Sequence, residues 1–172
     1  PDDAMAALEP YKTLFAAELD RRMAAKLGFA APTDATRALT EELLTLMARE
    51  RTDWTIFWRR LAHHAAGASA DTVRELFLDR AAIDRVLLQY NELPALVGRA
   101  PGADLMLESS PAIVLRNHLA EQAIALAKQK DFSMVEGLLE ALEAPFDEPA
   151  AHPEWAGFPP DWASTLSISC SS

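Results

Sequence analysis

A single cysteine, Cys170, stands in a chain of 172 residues. One thiol cannot build an internal disulfide framework, and it suits a reducing compartment. The six glycines never fall at the spacing of a GxGxxG or GxxxxGK phosphate cradle. HExxH, CxxC and GxSxG are missing as well. Paired carboxylates such as Glu41–Glu42 and Asp147–Glu148 are sequence neighbours, so they diverge on a helix and read as surface charge. No run approaches the ~18 apolar residues of a membrane span, and no basic, apolar-cored leader opens the chain. Pro1 stands where an initiator methionine would, which leads us to expect a piece of a longer polypeptide. Lys and Arg are absent after Lys130, whereas the same stretch holds eight acids and so most of the net charge of −10. Such an acidic end repels phosphate backbones and argues against a nucleic-acid partner.

Half of the residues are hydrophobic and about a quarter charged, as in an ordinary globular chain. The length fits one domain that buries about 70% of its unfolded surface. Apolar residues recur at helical spacing along most of it, which predicts an all-α fold of six or seven helices over 1–144. The first helix is expected from about Asp3 to Lys26, with Leu8, Tyr11, Phe15, Leu19, Met23 and Leu27 as its stripe and Gly28 at its end. Thr33 or Asp34 can cap a second helix, whose stripe is Leu39, Leu43, Leu44 and Met47. Thr52 or Asp53 can cap a third, on which Trp54, Phe57, Trp58 and Leu61 share one face and predict core packing. His63 and His64 follow, but adjacent helical residues point about 100° apart and do not suit one metal. Beyond a loop at 66–69, Val73, Leu76 and Phe77 mark a short helix, and Ile83, Val86, Leu87 and Tyr90 another. Pro94 and the 98–102 segment, with Pro101 inside it, then break the pattern and read as a mobile loop.

The next stretch carries polar residues in unexpected places. Ser110 suits an N-cap and Pro111 a first helical position, ahead of Leu115, Leu119, Ala123 and Leu126. In that register Arg116 and Asn117 fall on the alanine-rich face, and His118 turns to the wetter flank with Val114, Glu121 and Gln122. A cation on an apolar face needs a partner, so Arg116 is expected to reach a carboxylate and lock two helices. The last helix opens after Asp131, with Ser133 and Glu136 at capping-box spacing and Val135, Leu138, Leu139 and Leu142 as its stripe. Over 145–172 five prolines forbid a long helix, while Phe146, Trp155, Phe158 and Trp162 predict an extended acidic arm held by aromatic anchors. Thr165–Cys170 is the one strand-like alternation.

Four stretches, in order, resemble the selenoprotein O family of pseudokinase-like protein adenylyltransferases. They are Arg51-Thr-Asp-Trp-Thr-Ile-Phe-Trp-Arg-Arg-Leu, Leu76-Phe-Leu-Asp-Arg, Leu115-Arg-Asn-His-Leu-Ala-Glu-Gln-Ala-Ile, and an ending with Pro145-Phe-Asp-Glu, Pro159-Pro-Asp-Trp-Ala and a final Ser-Cys-Ser-Ser. Trp54, Trp58, Arg116, Asn117 and Trp162 are the signature residues within them. The resemblance places a Cys or selenocysteine third from the C-terminus, at Cys170, and implies a redox role for it. Ser110-Pro111 stands where the family usually has Asn-Pro.

The resemblance implies a parent enzyme that moves AMP from ATP to Ser, Thr or Tyr hydroxyls of target proteins, with Mg²⁺ on the phosphates. The family's Lys, Arg, Asn and Asp residues that hold ATP lie upstream of anything aligned here, so no catalytic residue carries over. This chain would then brace the C-lobe of a kinase-like fold, be inactive alone, and have the N-terminal kinase-like portion as its partner. A cytoplasmic location is expected for a bacterial protein and a mitochondrial one for a eukaryotic protein. The competing reading from the residues is a stand-alone acidic helical interaction module, with no enzymatic activity, that docks a partner helix.

Overall fold

Lys26 is the last residue of α1 (Asp2–Lys26), and the glycine two positions on turns the chain. Gly28 takes φ +88°, the Gly28 N–H donates to the Ala25 carbonyl at 2.9 Å, and the Phe29 N–H donates to the Ala24 carbonyl at 2.9 Å. This pair of bonds closes the helix end as a Schellman motif, which glycine makes without a steric cost. The computed structural model from which this geometry is taken describes residues 2–166, and the side chains of residues 8–166. The Ile168 and Cys170 end of the proposed Thr165–Cys170 alternation lies outside them.

Capping decides the next boundaries. Thr33, of the two candidates, caps α2 (Asp34–Glu50) in a reciprocal box with Thr36. Asp53 caps α3 (Trp54–Ala65) by accepting from the Ile56 N–H at 3.0 Å. The short α4 (Asp71–Arg74) is followed by α5 (Arg80–Val97), capped by Asp79. α5 runs through Pro94 and ends at Gly98, φ +78°. A proline inside a helix costs about 3 kcal/mol; burial of Ile83, Val86, Leu87, Tyr90 and Leu93 along the same helix outweighs it. α6 (Ala103–Ser109) follows. The 98–102 segment is not a free loop, because the Gly102 N–H donates to the Gly28 carbonyl at 2.8 Å.

The chain divides into two compact units at Ser110/Pro111. In the first, α1 packs on α2 and α6, α3 on α4 and α6, and α5 on α2. Phe57 sits edge-on to both Trp58 (5.0 Å, 76°) and Phe77 (5.7 Å, 86°), all three fully buried with Leu27, Leu43, Leu61 and Ile83 around them. The stripe predicted along α1 is buried only at its end. Met23, Ala24 and Leu27 enter the core, whereas Leu8, Tyr11, Phe15 and Leu19 face outward.

The second unit contains α7 (Asn117–Ala127), α8 (Ser133–Glu143) and two 3-10 turns, Pro153–Ala156 and Asp161–Thr165. Ile113, Leu119, Ala123, Leu138 and Trp155 form its core. That Trp155 belongs to this core joins the proline-rich arm to α7 and α8, so the compact units do not follow the 144/145 division read from composition.

Several local expectations are corrected. No helix starts at Ser110: residues 111–116 are irregular, with a bend at Ala112, and the Pro145 carbonyl takes the N–H groups of Ala112 (2.8 Å) and Ile113 (3.2 Å). The Ser133–Glu136 box does not form; Asp131 Oδ1 instead accepts from the Ser133 N–H (3.0 Å) and Oγ (2.7 Å). On α8, Leu138 is buried while Val135 and Leu139 are exposed. Of the four arm aromatics, Trp155 alone is buried. The all-α expectation holds, with eight α-helices rather than six or seven and no strand among the described residues. None of these helices is long and apolar enough to cross a membrane.

At Gly28 a Cβ would meet Pro101 Cβ at 2.7 Å and the Gly102 nitrogen at 2.9 Å, on top of the left-handed backbone. Gly28→Ala is therefore expected to lower stability by about 2–4 kcal/mol. Urea denaturation measures this, and a loss under about 1 kcal/mol would show that the 28–102 contact yields easily.

Candidate functional site

Trp54 and Trp58 are one turn apart on α3 and meet edge-on at 5.6 Å. Trp58 is fully buried and Trp54 half exposed. Lys26 reaches them from α1, its Nζ 5.7 Å from the Trp58 ring centre and 6.0 Å from that of Trp54. The same Nζ donates to the Ser109 carbonyl at 2.7 Å and to Ser110 Oγ at 3.4 Å. Arg59 Nη1 adds bonds to the carbonyls of Leu107 (3.2 Å) and Ser110 (3.0 Å). Two cations thus satisfy the carbonyl end of α6, where the peptide dipoles concentrate negative charge. Burial pulls the Lys26 ammonium down to about 8. The tryptophans here pack against and shield a helix cap.

Concave surface is found in the second unit. A groove of about 820 Å³ runs along α7, α8 and the arm, lined by His118, Met134, His152, Glu154, Trp155 and Phe158 among others. Beside it a concavity of about 650 Å³ is lined by Arg116, Asn117, His118, Asp161 and Ser164. His118 borders both. Its ring is buried and stands edge-on to Trp162 at 6.1 Å and 87°. Burial, aided by the Arg116 charge, holds the His118 pKa below its ordinary value, so the ring is neutral near pH 7. His152 stacks on Trp155 at 3.8 Å and 12°, and its Nδ1 lies 3.1 Å from Glu154 Oε1.

The signature residues fall in both units, Trp54 and Trp58 in the first and Arg116, Asn117 and Trp162 in the second. Arg116 is the N-cap of α7, half-buried at the end of the irregular run, and Asn117 is the first helical residue and exposed. The phase drawn from Ser110 therefore fails: Asn117 faces out, and His118 enters the buried side with Leu119. Ser110, freed from any role at α7, closes α6 instead. Trp162 is half exposed against His118, and Cys170 lies outside the described residues. Gly137 and His152 do not stand out by their sequence pattern. A Cβ on Gly137 would come within 3.1 Å of Trp155 Cη2, so the glycine admits the indole against α8. A signal for this was present, since a glycine inside a helix costs about 1 kcal/mol against alanine and points to a close approach.

The groove has an apolar floor, two imidazoles and the Glu154 carboxylate, and the concavity beside it sets Asp161 against Arg116. No group of three or more His, Cys, Asp or Glu among the described residues could hold a metal ion. Comparison with known proteins supplies what the geometry does not. The sequence profile described as "Protein adenylyltransferase SelO" matches residues 1–143. The chain belongs to the SelO family. Among its relatives are three bacterial proteins named protein nucleotidyltransferase YdiU. The one from Variovorax paradoxus is 59% identical over 98% of this chain and 34% of its own length. That from Albidiferax ferrireducens is 53% identical over 98% of this chain and 35% of its own length, and that from Paraburkholderia xenovorans 46% over 99% and 34%. This SelO-family chain thus spans about a third of the length of the curated relatives it matches.

His118 makes the second unit sensitive to acid. Its neutral form is favoured in the fold, so below its ordinary value of 6.5 the unfolded chain binds the proton first. The contribution is complete above that value and is lost as pH falls. Urea midpoints at about pH 7.5 and about pH 5 should differ more for the natural chain than for His118→Gln, because the variant lacks the buried imidazole whose neutral form the fold favours. Equal losses in the two proteins would show that the ring protonates freely in place.

Proposed function

We propose that this chain is the C-terminal helical region of a protein adenylyltransferase that moves AMP from ATP to Ser, Thr or Tyr hydroxyls of target proteins. The observation that carries this reading is the match to the SelO profile over residues 1–143, in a chain that covers a third of its nucleotidyltransferase relatives. In the reaction the hydroxyl oxygen bonds to the α-phosphorus and the bond from that phosphorus to the bridging oxygen breaks. Pyrophosphate leaves, and the hydroxyl proton goes to a base. Mg²⁺, when bound, neutralises the phosphates. That no group of three or more His, Cys, Asp or Glu among the described residues could hold a metal ion supports placing the Mg²⁺ of the nucleotide elsewhere in the protein. In this reading ATP and Mg²⁺ are held by a kinase-like N-terminal portion of the same protein, which this helical region braces. A bacterial cytoplasm, supplying ATP, is the compartment that the reading requires.

Cys170 completes the proposal as a redox group. Its thiol and a thiol of the kinase-like portion lose two electrons and two protons to a cellular disulfide, form a disulfide themselves, and are restored by a dithiol reductant.

Full-length protein incubated with Mg²⁺ should label target proteins from ATP marked at the α-phosphate and not from ATP marked at the γ-phosphate. The 172-residue chain alone should give no binding heat with ATP and Mg²⁺. Micromolar binding by the chain alone would move the nucleotide site into it, and γ-label transfer would make the enzyme a kinase. Cys170→Ser should abolish the difference in transfer rate between oxidised and reduced full-length protein. An unchanged redox response in that variant would remove the thiol from regulation.

A further inference from the structure

The N-terminal half of α1 displays large apolar side chains to no purpose that the first unit explains. Leu8, Tyr11, Leu14, Phe15 and Leu19 are 60%, 60%, 66%, 54% and 44% exposed. Leu8, Tyr11, Phe15 and Leu19 recur at steps of three and four, so they form one stripe about 18 Å long at 1.5 Å per residue. Tyr11 and Phe15 are already stacked, 5.7 Å apart at 27°. At the C-terminal end of the stripe the charges are engaged with each other: Glu18 takes Arg21 and Arg22 at 2.7 Å each. What α1 offers outward along this face is thus apolar and preformed. The largest apolar patch on a folded monomer is often a binding surface.

We infer that this stripe is the docking surface for the part of the same polypeptide that precedes α1, an inference that rests on the reading of the chain as one region of a longer protein. Size selects that occupant over a second copy. Five half-exposed side chains offer on the order of 500 Å², below the about 800 Å² per partner of a stable complex between separate molecules. A covalently joined segment needs no such area, because its association costs little translational freedom. The relatives are about three times as long as the matched stretch, which leaves ample polypeptide to cover the face. The last turn of α1, from Met23, is fixed in the core of the first unit, so the stripe is presented on a helical extension of that core.

The test is site-specific photo-cross-linking in the full-length protein. A benzophenone amino acid replaces Phe15 in one preparation and, as a solvent-facing control, Glu41 of α2 in another. Cross-linked peptides are mapped by mass spectrometry. The expected result is an intrachain product joining position 15 to residues preceding Pro1, with none from position 41. A product between two molecules would make the stripe a dimer surface and overturn the inference. So would a yield no higher than the control, a cross-link confined within 1–172, or a gene that encodes nothing before Pro1. Label transfer from α-marked ATP is scored in the same preparations: cross-linking without transfer would sink the proposed activity and leave the docking surface standing.

Discussion

The carbonyl end of α6 is the constraint on which the middle of this chain depends. A seven-residue helix leaves most of its carbonyls without partners inside it, and here the next residue is buried. Lys26 and Arg59, from α1 and α3, supply the missing donors, the first at the cost of desolvating an ammonium between two indoles. Because Lys26 is also the last residue of α1, the Schellman turn at Gly28 and the cap of α6 are one piece of construction. The Gly102–Gly28 bond ties the start of α6 to the same turn.

That arrangement dictates the course of the chain after Ser110. With its hydroxyl and carbonyl engaged, Ser110 ends one helix and cannot begin another. The Pro145 carbonyl takes the next two free N–H groups, and the chain stays non-helical as far as Arg116. Only at Asn117 does the helical pattern resume, and the later start rotates its faces: His118 goes in and Asn117 out. Trp155, seated in the space left by Gly137, then closes the small core of the second unit.

Neither unit is apolar only on its inside. Besides the α1 stripe, Phe132 and Leu139 in and beside α8, and Phe146 and Phe158 in the arm, remain exposed. Membership of a family whose compared members are about three times the matched length gives these surfaces a physical account. Faces of this kind are suited to lie against more protein.

The sequence alone determined the helical class, most helix ends in the first unit and the family. Those follow from short-range chemistry: a Thr or Asp that reaches an N–H three residues on, a glycine that accepts a positive φ, and apolar steps of three and four. The site was less legible. Periodicity says that a side of α1 or α8 is apolar but not whether anything in the chain covers it, which is why the pattern at Leu8–Leu19, Val135 and Leu139 reads as core although the side chains are exposed. Ser110-Pro111 satisfies the local rules for starting a helix as well as any pair in the chain. Three partners distant in sequence, Lys26, Arg59 and the Pro145 carbonyl, decided otherwise, because a buried backbone group must be paired wherever the partner comes from. The placement of His118 and the contact of Gly137 with Trp155 were likewise decided by tertiary structure, since each depends on which element lies across from the helix and not on the helix itself.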